Sequence, residues 1–173
     1  GIYANGTGSG DALITNSGKV TTHGAGAVGL RASSGGNAIV TASGDISTLN
    51  AAAPGAVSDL AHGIYAYSYG AGKKASVTYN SGTIAVNGSG LNNSNTIGGI
   101  YANGGTADAE IIMNGGTVSM NNASHGAALN AHNTGASGNI KVNFLGGTLN
   151  LSNTTGTVVD ADGIQAGTSN GNI

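Results

Sequence analysis

Gly63-Ile64-Tyr65-Ala66 and Gly99-Ile100-Tyr101-Ala102 are two copies of one phrase: a glycine, a branched apolar residue, a variable residue and an alanine. Gly1-Ile2-Tyr3-Ala4, Gly29-Leu30-Arg31-Ala32 and Gly163-Ile164-Gln165-Ala166 repeat it, and Ala128-Leu129-Asn130-Ala131 is a weaker copy. Between copies lies a second unit, two short apolar runs around a glycine turn at Ser17-Gly18, Ser43-Gly44, Ser81-Gly82, Gly115-Gly116 or Gly146-Gly147. The repeat length varies from 28 residues (Gly1 to Gly29) to 36 (Gly63 to Gly99). Self-similarity at this period marks a stacked repeat architecture.

The runs are short, rich in β-branched residues and Tyr, and bounded by Gly, Asn, Ser and Thr, so they read as strands. Each repeat then supplies three strands. This predicts an all-β chain folded as a right-handed parallel β-helix, a solenoid of about six coils and roughly 29 Å in length at the strand spacing of a sheet. A β-propeller needs four strands and about 40 residues per blade. Gly does not recur at every third position, which excludes collagen.

Alternation assigns faces. In each Gly-x-x-Ala phrase the branched residue and the Ala point inward. Aligning the other runs on their turn glycines places Leu13 and Thr15, Ile39 and Thr41, Val77 and Tyr79, Ile111 and Met113, and Val142 and Phe144 inward. After the turn, the inward pairs are Val20 and Thr22, Ile46 and Thr48, Ile84 and Val86, Val118 and Met120, and Leu149 and Leu151. The variation in period falls in Asn50 to His62, Gly88 to Gly98 and Asn153 to Asp162, which read as corner loops.

Composition narrows the function classes. The 173 residues include 33 Gly, one Pro and no Cys or Trp; 7% are charged and the net charge is −2. Soluble domains carry about 25% charged residues. With four lysines and one arginine and no basic stripe, the chain offers nothing to nucleic acid or an anionic membrane. No apolar run reaches the roughly 18 residues of a spanning helix. The absence of Cys excludes disulfides and thiolate metal sites.

The phrases Gly63-Ile64-Tyr65-Ala66 and Gly99-Ile100-Tyr101-Ala102, with Asn16-Ser17-Gly18-Lys19-Val20 and Asn80-Ser81-Gly82-Thr83-Ile84, resemble the passenger region of bacterial autotransporters. The resemblance covers nearly the whole chain and specifies coils rather than activities. It implies that residues 1–173 are a single β-helix segment of a longer passenger, exported through the outer membrane by a C-terminal translocator barrel. Adhesion to a host-cell protein, glycan or matrix, self-association, or binding of a specific host receptor by a secreted effector are the roles it implies. No functional residues transfer with it.

The residues themselves offer one contact surface. The outward position of the phrase is occupied by Tyr3, Arg31, Tyr65, Tyr101, Asn130 and Gln165, a ladder if the coils are in register. Tyr and Arg side by side make cation–π contacts, and such a strip suits sugar rings or a protein surface; stacking of like residues also accounts for it without a ligand. Tyr67 and Tyr69 alternate onto the same face as Tyr65, with Tyr79 nearby, and Tyr and Arg are favoured interface anchors.

Catalytic and metal chemistry find less support. Of His23, His62, His125 and His132, three precede a glycine near a turn; His62 and His125 fall two coils apart with no flanking carboxylates, so neither metal nor cofactor is expected. Polysaccharide-cleaving β-helices line up carboxylates on adjacent coils, whereas Asp108 with Glu110, and Asp160 with Asp162, each lie within one run. A carbohydrate-active enzyme on this scaffold is the rival reading. Gly6-Thr7-Gly8-Ser9-Gly10-Asp11 is one imperfect copy of a calcium-binding nonapeptide, which works only in tandem.

Overall fold

The computed structural model describes residues 1–24, 26–49, 62–87, 97–121, 125–135, 138–152, 160–168 and 173. The first coil holds β1 (Ile2–Gly6), β2 (Ala12–Asn16) and β3 (Val20–His23), and the second β4 (Val28–Ser34), β5 (Ala38–Ala42) and β6 (Ile46–Leu49). The third holds β7 (His62–Ser68), β8 (Lys74–Tyr79) and β9 (Thr83–Asn87), and the fourth β10 (Ile97–Asn103), β11 (Asp108–Met113) and β12 (Thr117–Asn121). The fifth holds β13 (His125–Asn133), β14 (Ile140–Phe144) and β15 (Thr148–Ser152), and β16 (Asp160–Thr168) opens a sixth. Each coil gives one strand to each of three parallel sheets, ordered β1-β4-β7-β10-β13-β16, β2-β5-β8-β11-β14 and β3-β6-β9-β12-β15. The chain is a parallel β-helix with three strands per coil.

The first sheet follows the sequence phrase residue for residue. Ile2, Leu30, Ile64, Ile100, Leu129 and Ile164 stand in one column, and Ala4, Ala32, Ala66, Ala102, Ala131 and Ala166 in another. From the second coil to the fifth both columns are fully buried. The third-sheet pairs Ile46 and Thr48, Ile84 and Val86, and Val118 and Met120 also point inward and are buried.

The glycine of the phrase is a packing requirement. A Cβ on Gly29, Gly63 or Gly99 would lie 2.4, 2.3 or 2.2 Å from Ile46 Cγ2, Ile84 Cγ2 or Val118 Cγ1 of the same coil. The first inward β-branched residue of the third-sheet strand therefore fills the space beside the glycine. Ala128 replaces glycine in the fifth coil, where the corresponding third-sheet residue is Leu149, whose branch is one carbon further out.

The second sheet corrects the predicted faces in its first two strands. Ile14 and Val40 are buried, while Leu13 is 64% exposed and Thr15, Ile39 and Thr41 are on the outer face. The cause is turn length. Ala42 pairs with Tyr79 and Ile46 with Ile84, so the turn between those strands has one more residue in the third coil than in the second. Alignment on the turn glycines hides that insertion, and a one-residue slip turns every side chain to the other face. Val77, Tyr79, Ile111 and Met113 are inward and buried as expected. Phe144 stands in register with Met113 but is 40% exposed in the outermost described strand of its sheet.

Those turns need a left-handed residue. Gly44 and Gly82 have φ of 103° and 101°, and a Cβ on Gly82 would sit 2.5 Å from the Gly44 carbonyl oxygen of the coil below. Of the predicted corner loops, residues 50–61, 88–96 and 153–159 lie outside the described residues. His62, Ile97, Gly98 and 160–162, assigned to those loops, belong instead to β7, β10 and β16.

Gly63→Ala forces a methyl against Ile84 and the Gly99 carbonyl and is expected to destabilise the chain by about 1–3 kcal/mol. Gly163→Ala, with nothing nearer than Leu149 Cδ1 at 3.9 Å, is expected to change little. Urea unfolding midpoints of the two variants check this.

Candidate functional site: an aromatic face on the first sheet

In-register stacking turns the outward position of the phrase into a continuous column. Tyr3 pairs with Arg31, Arg31 with Tyr65, Tyr65 with Tyr101, Tyr101 with Asn130 and Asn130 with Gln165. The Arg31 guanidinium carbon lies 5.2 Å from the Tyr3 ring centroid and 5.5 Å from that of Tyr65. One cation is thus held between two rings. Above it, Tyr65 and Tyr101 stack at 5.3 Å with 16° between their planes.

A row crosses this column along β7. Tyr65 and Tyr67 stack at 6.2 Å and 9°, and Tyr67 meets Tyr69 at 5.7 Å and 47°. The structure therefore joins all six sequence-marked residues, Tyr3, Arg31, Tyr65, Tyr67, Tyr69 and Tyr101, into one connected face. Their exposure differs. Tyr3 and Tyr69 are 58% and 48% exposed, Arg31, Tyr67 and Tyr101 are half-buried, and Tyr65 is 7% exposed. Tyr65 is the hub, and its neighbours are the surface. Aromatic pairs of this kind add about 0.5–1.5 kcal/mol each beyond buried area.

Tyr79 does not join them. It points into the core, fully buried, and donates its hydroxyl hydrogen bond to the Gly44 carbonyl at 3.1 Å.

His62 belongs to the face instead, which the sequence reading did not foresee. Its ring is fully buried, stacked on Tyr65 at 5.2 Å and tilted against Tyr101 at 5.1 Å. Nδ1 accepts the Gly98 N–H at 2.9 Å, which places the proton of the neutral ring on Nε2, a buried atom with no partner. Burial drives the His62 pKa down to about 4, and the Arg31 charge pushes the same way. No local signal marked it: His62 shares its register position with Val28, Gly98, Ala127 and Asp162, which have no common character. Burial also lifts the Tyr65 phenol to about 12 and raises that of Tyr101, so both rings stay neutral.

Beyond Tyr101 the column changes character. Asn130 Nδ2 donates to Gln165 Oε1 at 2.8 Å, and a depression of about 350 Å³ opens there, lined by Tyr101, Asn130, His132, Gln165, Ala166 and Gly167.

The carboxylates serve the scaffold. Asp11 accepts the Asn37 N–H at 2.8 Å, Asp45 the Thr83 N–H at 3.0 Å and Asp108 the Asn139 N–H at 2.7 Å, each joining a corner to the next coil. Asp11 thereby closes the Gly6–Asp11 turn onto the coil above. Glu110 pairs with Lys74 and with Lys141 at 3.5 Å and accepts from Ser76 at 3.3 Å. Partial burial raises its pKa, but the two lysines outweigh that and hold it below the usual value. Asp108 and Glu110 share the outer face but are committed to different partners. Among the described residues no group of three His, Cys, Asp or Glu could hold a metal ion.

No protein-family model, curated protein or solved structure matches this chain. The face is therefore read from its own geometry.

The depressed pKa makes His62 an acid-labile point. The unfolded state protonates near pH 6.5 and the folded state only near pH 4, so stability is fully present above 6.5, declines as pH falls to 4, and levels off below it. The expected loss is about 3 kcal/mol. Urea unfolding across that pH range checks it, and His62→Phe should flatten this part of the profile.

Proposed function

We propose that this chain is a non-catalytic β-helical segment of an exported bacterial surface or secreted protein, whose first-sheet face makes the contacts. The partner is a host-cell surface protein or glycan, or a sister molecule. The observation that carries this reading is the connected Tyr3–Arg31–Tyr65–Tyr101 column with Tyr67 and Tyr69 beside it. Five of the six tyrosines and the single arginine gather on this one face. Arg and Tyr are among the residue types enriched at the energetic anchors of interfaces.

The setting on a bacterial surface, the longer parent chain and its C-terminal translocator barrel rest on the resemblance to autotransporter passengers. Against the enzyme reading weigh the carboxylates: Asp11, Asp45 and Asp108 are occupied as corner acceptors, and Glu110 is neutralised by two lysines. The segment needs no cofactor for the role proposed.

The burial pattern selects the variants. Replacing Tyr65 would collapse the hub, whereas Tyr3 and Tyr69 are rings exposed at the edge of the face. Labelled protein is expected to bind cultured epithelial cells saturably or to self-associate in sedimentation, and Tyr3→Ala/Tyr69→Ala is expected to weaken that contact about tenfold or more. An unchanged isotherm in the double variant would remove this face from the contact.

A further inference from the structure

We infer that the groove above Tyr101 is a subsite for a neutral oligosaccharide, a ligand assignment that rests on the first-sheet face being a contact surface.

The groove exists because the column steps down. Tyr65 covers one side of the Tyr101 ring, and on the opposite side, toward the next coils, Tyr101 is followed by the shorter Asn130 and Gln165. The neighbouring outward column falls from His132 to Gly167, which has no side chain. A tyrosine wall, an amide floor and an imidazole side enclose about 350 Å³, within the size range of ligand clefts.

The lining chemistry selects the ligand. Among the described residues no Asp, Glu, Lys or Arg lines the groove, so these residues offer no charged partner to a phosphate, sulfate or carboxylate. The two amides and the imidazole present both donors and acceptors, which matches hydroxyl groups that do both. Asn130, 3% exposed, is held in the floor by its bond to Gln165, so the more accessible Gln165 and His132 carry the polar groups that meet the ligand. The uncovered aromatic surface suits the C–H face of a pyranose ring. An apolar peptide would strand these polar groups, which is unfavourable for each one left unpaired. The groove also continues into the Tyr101–Tyr65–Arg31–Tyr3 column, so a chain of sugars lying along the helix axis passes from hydrogen-bonding residues onto aromatic ones.

The test uses the whole 173-residue chain. It has six tyrosines and no tryptophan, so its intrinsic emission is a tyrosine signal. Short oligomers of glucose, mannose, galactose and N-acetylglucosamine are titrated, with sialylated and sulfated oligomers as charged probes. At least one neutral oligomer should give a saturable change. Gln165→Ala and His132→Ala should each weaken it about three- to tenfold, the value of one hydrogen bond. Tyr101→Phe should retain it, because the ring and not the hydroxyl forms the wall. Circular dichroism confirms that each variant folds. The proposal is overturned if no neutral oligomer binds, if charged probes bind better, or if the two groove variants bind like the parent. Cell contact that is lost in Tyr3→Ala/Tyr69→Ala but survives enzymatic deglycosylation of the cells would retain the contact face and overturn the sugar as its ligand. Oligomer binding without any contact to cells or to sister molecules would retain the groove and remove adhesion.

Discussion

Hydrogen bonding between parallel strands of successive coils holds each position about 4.7–4.9 Å above its counterpart, and this spacing governs every column of the molecule. A side chain meets chiefly its own equivalent. Where the equivalents are Ala or Ile, the column is a dry seam, fully buried between the second and fifth coils. Where they are amides, they bond to one another: Asn114 donates to Asn80 and Asn121 to Asn87, both at 2.8 Å, and Ser152 donates to Asn121 at 2.9 Å. A column of like charges would repel at that distance. The scarcity of charged residues follows, and where Glu110 occurs its column neighbour is Lys141, with Lys74 close by. Arg31 obeys the same rule, flanked by rings and not by cations.

The interior adds a second restriction. Three sheets meet in a narrow core, so a large residue in one sheet requires a small one facing it. Gly29, Gly63 and Gly99 yield to the methyl branches of Ile46, Ile84 and Val118, and Ala128 becomes possible opposite Leu149. The glycine of the sequence phrase is thus set, in the second to fourth coils, by a strand more than fifteen residues away in the chain. This reciprocity also fixes which coil edge lies beside which, since a slip of one position would bring a Cβ into the space of a β-branched side chain.

Most of the architecture was legible because such columns write themselves into the sequence. The Gly-x-x-Ala phrase returned the first-sheet register and its outward column without error, since no insertion falls within the strand. The second sheet was misread in β2 and β5 because its anchor, the turn glycine, is conformational. A glycine with positive φ marks a turn but not how many residues the turn spends, and the extra residue between Tyr79 and Ile84 shifts the phase by one. Tyr79 was read inward by alternation with Val77, and its hydroxyl bond to the part-buried Gly44 carbonyl lets the ring enter the core and keeps it off the aromatic face. His62 was hidden because a histidine before a glycine reads as a turn. Its burial depends on two tyrosines, one from its own strand and one from the next coil, that no local pattern connects to it.

The aromatic face draws its rigidity from that buried histidine. Tyr65 is enclosed by His62, Arg31, Tyr67 and Tyr101, so the rings that reach solvent are held by one that does not. Side chains already fixed before contact lose less freedom when they bind, and preorganisation of this kind is a main source of affinity on a surface without a deep pocket. It also divides the labour within the face. Tyr65 and His62 supply stability and can be replaced only at its expense, while Tyr3, Tyr69 and the groove beyond Tyr101 carry the surface that meets a partner. The change from Tyr and Arg to Asn and Gln along a single column then gives the two ends of the face different chemistry on a common rigid base, stacking at one end and hydrogen bonding at the other.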